Sequence, residues 1–188
     1  MAGDVAIGLL GLGTVGTGVA KLIERNQATI RKRLGCGLRI AAAAVRDPRR
    51  RRDVSLGRGR IFSDARRLIT DPSIDVVVEL IGGVEPAKSL LLGAIAAGKD
   101  VVTANKALLA THGREVFEAA ERASVRLGFE ASVAGGIPII RVLRQALAGD
   151  RNRAIYGIVN GTCNSILTAM TDRGAEFQAA LAEAQAAG

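Results

Sequence analysis

The sequence predicts an α/β fold in which a mostly parallel sheet is doubly wound by helices, followed by the beginning of a second, α+β domain. Three observations carry this expectation. Short β-branched runs alternate with helical stretches, one of those runs is apolar without a break, and a glycine-rich turn joins the first strand to the first helix.

The elements follow in order. VAIGLL, residues 5–10, is the first strand, and a helical pattern covers 14–33. LRIAAAAV, residues 38–45, is the second strand. A short helix over 64–70 precedes DVVVELI, in which Val76, Val77 and Val78 lack the alternation of a half-exposed strand, as expected where helices cover both faces. A helix over 86–97, the strand DVVTA, a helix over 106–123 and the strand VRLGF continue the spacing of parallel βαβ units. After about Ala131 the pattern changes. ASVAGGIP supplies a glycine turn with Pro138 at a helix start, IIRVLRQAL has helical spacing, RAIYGIVNG reads as a strand, and two Ala-rich helical segments reach Gly188. These features place a first domain at 1–131 and a second at 132–188, with the transition near Glu130 to Gly136.

Composition narrows the function. The 188 residues are 48% apolar, enough for a core, and carry a net charge of +8. Aromatic residues make up only 3%, Trp is absent, and no RNA-binding or zinc-finger signature accompanies the charge, which argues against a nucleic-acid partner. Two cysteines, Cys36 and Cys163, give neither a disulfide framework nor metal-ligand spacing, and His112 is the single histidine. MAGDVAIGLL lacks the features of a signal peptide, and no run approaches the roughly 20 apolar residues that span a bilayer. The expected setting is the cytoplasm, without a membrane partner.

The glycine turn is GLGTVG, residues 11–16. Gly11 permits a tight turn, Gly13 lets the backbone approach a pyrophosphate, and Gly16 lets helix and strand pack closely. Because it follows a strand and opens a helix, the turn reads as the phosphate-binding element of a Rossmann-type dinucleotide fold. The second strand ends at Val45 and is followed by Arg46 and Asp47, with Arg49 to Arg52 close behind. An acidic residue there binds the ribose hydroxyls of NAD, whereas arginine accommodates the 2′-phosphate of NADP; Arg46 favours NADP and Asp47 leaves NAD open.

A nicotinamide enzyme needs a proton donor or acceptor beside the reacting carbon. His112 falls within a helix rather than at a strand end, and the sole tyrosine, Tyr156, has Asn160 where a Tyr-x-x-x-Lys pair needs lysine. In VVTANKALLA, Thr103 stands at the junction of a central strand and a helix and Lys106 just beyond the strand's carboxyl end, the edge where open α/β sheets bind ligands. Lys106 there opposes the N-terminal helix dipole unless it meets a negative ligand. Cys163, in NGTCNSIL, is either a nucleophile near a helix start or small packing material beside a cap made by Asn160 or Thr162.

GLGTVGTGV, VVTANKALLA, FEASVAGGIPII and IVNGTCNSIL together resemble homoserine dehydrogenases, in the family's order and over nearly the whole chain. The resemblance implies reversible, NAD(P)-dependent hydride transfer between aspartate 4-semialdehyde and L-homoserine, on the route to threonine and methionine, in a homodimer. It places Leu12, Thr14, Val15 and Gly188 beside the cofactor, and Lys106 where cofactor and substrate meet, polarising or protonating the reacting oxygen. It gives Glu130, Val133, Gly135 and Ile137 as a sodium site built mainly from backbone carbonyls. It also implies a Tyr-x-Glu-x-Asp-Pro segment, an Asp and a second Lys that these 188 residues do not contain. The chain is therefore expected to be an amino-terminal portion that binds NADP with little or no turnover. A catalytically silent dinucleotide-binding module and a related semialdehyde or amino-acid dehydrogenase are the alternatives.

Overall fold

The computed structural model describes residues 3–158 and 160–187, so Gly188 lies outside the described residues. The described residues up to Gly135 form one compact unit and those from Gly136 onward a second.

In the first unit, six strands form one sheet: β1 (Val5–Leu10), β2 (Leu38–Ala44), β3 (Ile61–Phe62), β4 (Val76–Glu79), β5 (Asp100–Thr103) and β6 (Leu127–Gly128). Their order is β3-β2-β1-β4-β5-β6, and every neighbouring pair is parallel. The chain builds outward from β1 to β3, then returns to lay β4 on the other side of β1. The resulting switch point between β1 and β4 is where such sheets bind ligands beyond the strand carboxyl ends.

The helices are α1 (Thr14–Arg25), α2 (Gln27–Leu34), α3 (Ala65–Thr70), α4 (Ala87–Ala96) and α5 (Lys106–Arg122). Alternate side chains of one strand enter different cores. Leu10, Ala42, Ala44, Val77 and Val101 pack with Leu68, Leu91, Ile95, Leu108 and Val116, whereas Ile7, Leu9, Ala43 and Val78 pack with Ala20 and Ile23 of α1. Both sheet faces are thus covered, which is why the Val76-Val77-Val78 run needs no polar alternation.

Three details differ from the sequence expectation. The helix expected over 14–33 is two helices. Asn26 leaves helical geometry at φ −105° and ψ 16°, and its backbone N–H and its side-chain amide both donate to the Leu22 carbonyl, at 3.1 and 2.8 Å. The edge strand β3 was not expected, because two residues carry no readable period. The strand expected over RAIYGIVNG does not form: its described residues before Asn160 are irregular, and Asn160 caps the next helix. No strand occurs among the described residues of the second unit, so this β-prone run has no ladder partner there.

The second unit consists of α6 (Ile139–Arg141) running into a π-helical turn (Val142–Ala146), then α7 (Gly161–Arg173) and α8 (Phe177–Ala187). Its buried apolar cluster is small: Ile166, Ala169 and Ala180. A left-handed glycine, Gly174 with φ 63°, closes α7.

Candidate functional site

The site is built at the carboxyl ends of β1, β2 and β4, around the first turn of α1. Gly11 leaves β1 at φ 103°, and a Cβ there would lie 2.9 Å from the Leu80 carbonyl oxygen. A Cβ on Gly16 would lie 2.4 Å from the Gly11 carbonyl oxygen, closer than any real contact, so α1 can approach β1 only with glycine at this position. Gly13, by contrast, has nothing within 4 Å of the place its Cβ would take, which leaves open space above the α1 N-terminus. Gly13 is the α1 N-cap residue and offers no side-chain cap, and the first turn of α1 has no acidic residue. Backbone N–H groups in that state are an anion site.

A cleft of 1170 Å³ opens here, lined by Gly11, Leu12, Gly13 and Thr14 from the turn, by Arg46, Asp47, Arg50, Arg51 and Arg52 beyond β2, and by Ile81 and Gly82 beyond β4. A smaller groove of 390 Å³, lined by Ile23, Leu38, Val54 and Leu56, has none of these residues. The larger cleft fits a dinucleotide in three ways: a turn with open space above Gly13 for phosphates, guanidinium groups at one end, and a second glycine loop at the other.

The arginines do not share one role. Arg46 is exposed at the rim. Arg52 turns its guanidinium inward onto three carbonyls, donating to Leu12 at 3.1 Å, to Arg50 at 2.7 Å and to Asp47 at 2.9 Å. It therefore pins the arginine loop to the glycine turn. The Asp47 carboxylate accepts the Arg49 N–H at 2.9 Å, which tightens the same loop. At its far end Asp53 pairs with Lys21, whose hydrogen bond and charge hold the Asp53 carboxyl below its ordinary range. The density of arginine was legible in the sequence. The inward turn of Arg52 was not, because it depends on a carbonyl 40 residues away.

Val15, Gly16, Thr103 and Lys106 do not line the cleft. Val15 is exposed on α1, and Gly16 is buried against Gly11. Lys106 is exposed and is the first residue of α5. Thr103 is fully buried, and its hydroxyl donates to Glu79 at 2.6 Å. Glu79, which sequence reasoning passed over, is also fully buried and accepts the N–H groups of Ile81 and Gly82 at 2.8 and 3.1 Å. Asn105 caps α5 by accepting the Leu108 N–H at 3.1 Å and donates to the Gly83 carbonyl at 2.6 Å. The end of β5 that carries Lys106 is thus bonded to the loop beyond β4 that lines the cleft.

Glu130 opens a 3-10 turn over Glu130–Ser132, and its carbonyl accepts the Val133 N–H at 3.2 Å. Ala134, between Val133 and Gly135, takes the left-handed conformation at φ 50°. Ile137 belongs to the second unit and is exposed. A carboxylate and neighbouring carbonyl oxygens are hard donors that suit a monovalent cation. Among the described residues no group of three or more His, Cys, Asp or Glu converges on a metal site.

His112, in the first unit, does not line the cleft. His112 interrupts α5 with φ −129° and faces Glu115 at 3.4 Å. Tyr156 is 94% exposed in an irregular stretch. Cys163 donates its N–H to the Asn160 cap at 2.9 Å and is exposed.

Comparison with known proteins matches residues 11–130 to the family model of the homoserine dehydrogenase NAD-binding domain and residues 138–188 to that of homoserine dehydrogenase. The chain belongs to the homoserine dehydrogenase family. It is 47% identical to the homoserine dehydrogenase of Synechocystis over 98% of its own length and 42% of the relative's. The Pseudomonas aeruginosa enzyme is 48% identical over the same shares. A crystal structure of a homoserine dehydrogenase from Thiobacillus denitrificans superposes with a TM-score of 0.90 at 48% identity, over 98% of this chain and 43% of that one. The chain thus spans less than half the length of each of these three relatives. No described helix is long and apolar enough to cross a membrane.

Proposed function

We propose that this chain is the cofactor-binding part of an NAD(P)-dependent homoserine dehydrogenase, which interconverts aspartate 4-semialdehyde and L-homoserine in threonine and methionine biosynthesis. The observation that carries the reading is the cleft: a glycine turn with open space above Gly13, continuous with Arg46 and the arginine loop at one end and with Ile81 and Gly82 at the other. In this reading the turn N–H groups take the pyrophosphate, Arg46 with Arg50 and Arg51 takes the 2′-phosphate of NADP, and Arg52 holds the loop that presents them. The bound nicotinamide supplies or accepts the hydride. Lys106 holds the substrate oxygen and its proton, where its ammonium favours developing negative charge. Glu130 and the carbonyls of Val133 and Gly135 supply oxygen ligands to a sodium ion. The whole protein works in the cytoplasm as a homodimer.

Isothermal titration with both oxidised cofactors tests the specificity. NADP binds more tightly than NAD, and Arg46→Ala weakens NADP by about tenfold while sparing NAD. Tighter NAD binding in the parent, or an unchanged ratio in the variant, refutes the assignment. Because these residues match only 42% of a relative's length, they bind cofactor with little or no turnover. Homoserine oxidation within about tenfold of a full-length relative overturns that statement.

A further inference from the structure

Glu79 is a buried charged group with no part in the cofactor contacts proposed above. It is the last residue of β4, in register with Leu10 of β1 on one side and Thr103 of β5 on the other. Its side chain is fully buried, and its three hydrogen-bond partners, Ile81 N–H, Gly82 N–H and the Thr103 hydroxyl, are all uncharged donors. Thr103 Oγ1 accepts the Asn105 N–H at 3.1 Å and donates its proton to Glu79 at 2.6 Å, so the hydroxyl links the two. Asn105 in turn accepts the Leu108 N–H and donates to the Gly83 carbonyl.

A closed relay therefore runs from the loop of Ile81, Gly82 and Gly83 through Glu79, Thr103 and Asn105, and back to Gly83. Burying a carboxylate is costly, and a well-packed apolar residue commonly serves stability at least as well. What the relay supplies and an apolar residue does not is one fixed geometry between a loop and a helix start. The loop lines the cleft, and the helix begins with Lys106. With the arginines beyond β2 at the adenosine end and the glycine turn at the pyrophosphate, the nicotinamide end lies over β4 and β5.

We propose that Glu79 is a positioning residue: through Thr103 and Asn105 it sets the Ile81–Gly83 loop and Lys106 in a single geometry at the nicotinamide end of the cofactor. The proposal rests on the dinucleotide reading of the cleft.

The test uses the 188-residue chain and two probes, NADP and 2′-phospho-ADP-ribose, which lacks the nicotinamide. Glu79→Gln keeps the size of the side chain but brings an N–H2 group toward partners that are donors. It weakens NADP by about tenfold and leaves 2′-phospho-ADP-ribose within about twofold of the parent. Thr103→Val behaves the same way, and Thr103→Ser, which keeps the hydroxyl, recovers most of the NADP affinity lost in Thr103→Val. A group that merely stabilises the fold lowers the unfolding midpoint and leaves the ratio of the two affinities unchanged, and that result overturns the proposal. If Glu79→Gln does not fold, the two Thr103 variants decide the matter by the same ratio. A parent that binds neither probe defeats the dinucleotide reading itself, whereas a parent that binds both equally defeats the positioning role alone.

Discussion

At one end of the switch point, where β1 turns into α1, the chain prepares for a ligand by omitting side chains: Gly11, Gly13 and Gly16 let backbone approach backbone and leave N–H groups facing an open cleft. At the other end, where β4 and β5 finish, it prepares by burying them. Glu79, Thr103 and Asn105 are at most 4% exposed and are bonded to one another and to the loop backbone. A backbone-built site binds any phosphate of the right shape. A side-chain-built site fixes where a particular group, here Lys106, stands relative to its neighbours. The difference predicts different sensitivities.

The largest effect is expected at the backbone-built end. Gly16→Ala puts a Cβ where 2.4 Å separates it from the Gly11 carbonyl oxygen, and a backbone atom cannot swing aside as a side-chain tip can. Overpacking of this kind costs about 3 kcal/mol, read as a lowered midpoint in denaturant unfolding, together with weaker binding of NADP and of 2′-phospho-ADP-ribose alike. If Gly16→Ala folds with parental stability, glycine is not what permits the close approach.

The two ends also differ in how far the sequence revealed them. A glycine required by close approach leaves its mark at its own position and at a short spacing, so Gly11, Gly13 and Gly16 could be assigned roles in advance. Lys106 was legible because a strand end can be read from an apolar run and a following helix. The relay was not: Thr103 and Glu79 are 24 residues apart, and their bond exists only because β4 and β5 are parallel neighbours in register. In the sequence Arg52 is one more positive charge, since its contact with Leu12 needs the folded loop. The same limit explains RAIYGIVNG, whose composition favours a strand but whose described residues find no strand neighbour in their unit.

A middle-sized effect separates two duties at the side-chain-built end. Asn105→Ala removes both the α5 cap and the tie to Gly83, with an expected loss of about 2 kcal/mol in unfolding experiments. Asn105→Asp restores a capping oxygen, which the helix dipole favours, but places an acceptor against the Gly83 carbonyl. If the relay depends on the tie, Asp rescues stability in part while NADP affinity stays as low as in Ala. Full rescue of both by Asp reduces Asn105 to a helix cap and weakens the contrast between the two ends.

The smallest effect lies at the margin of the arginine loop, between Lys21 and Asp53. Lys21 holds the Asp53 carboxyl below its ordinary range, first through their hydrogen bond and then through its charge. For a carboxylate whose value falls on folding, the stabilisation is fully present above the ordinary carboxylate range. It is lost as pH falls through the lowered one. Asp53 is exposed, so the contribution is small and screened by salt. Thermal unfolding of the parent and of Asp53→Asn should therefore differ slightly at neutral pH and low ionic strength, and the curves should converge as the pH drops or as salt is added. A difference that persists in acid, or survives molar salt, assigns Asp53 a packing role in the loop instead of an ionic one. The arginine loop would then depend on buried contacts as the β4 and β5 ends do, and the division between a backbone-built and a side-chain-built end would no longer hold at its margin.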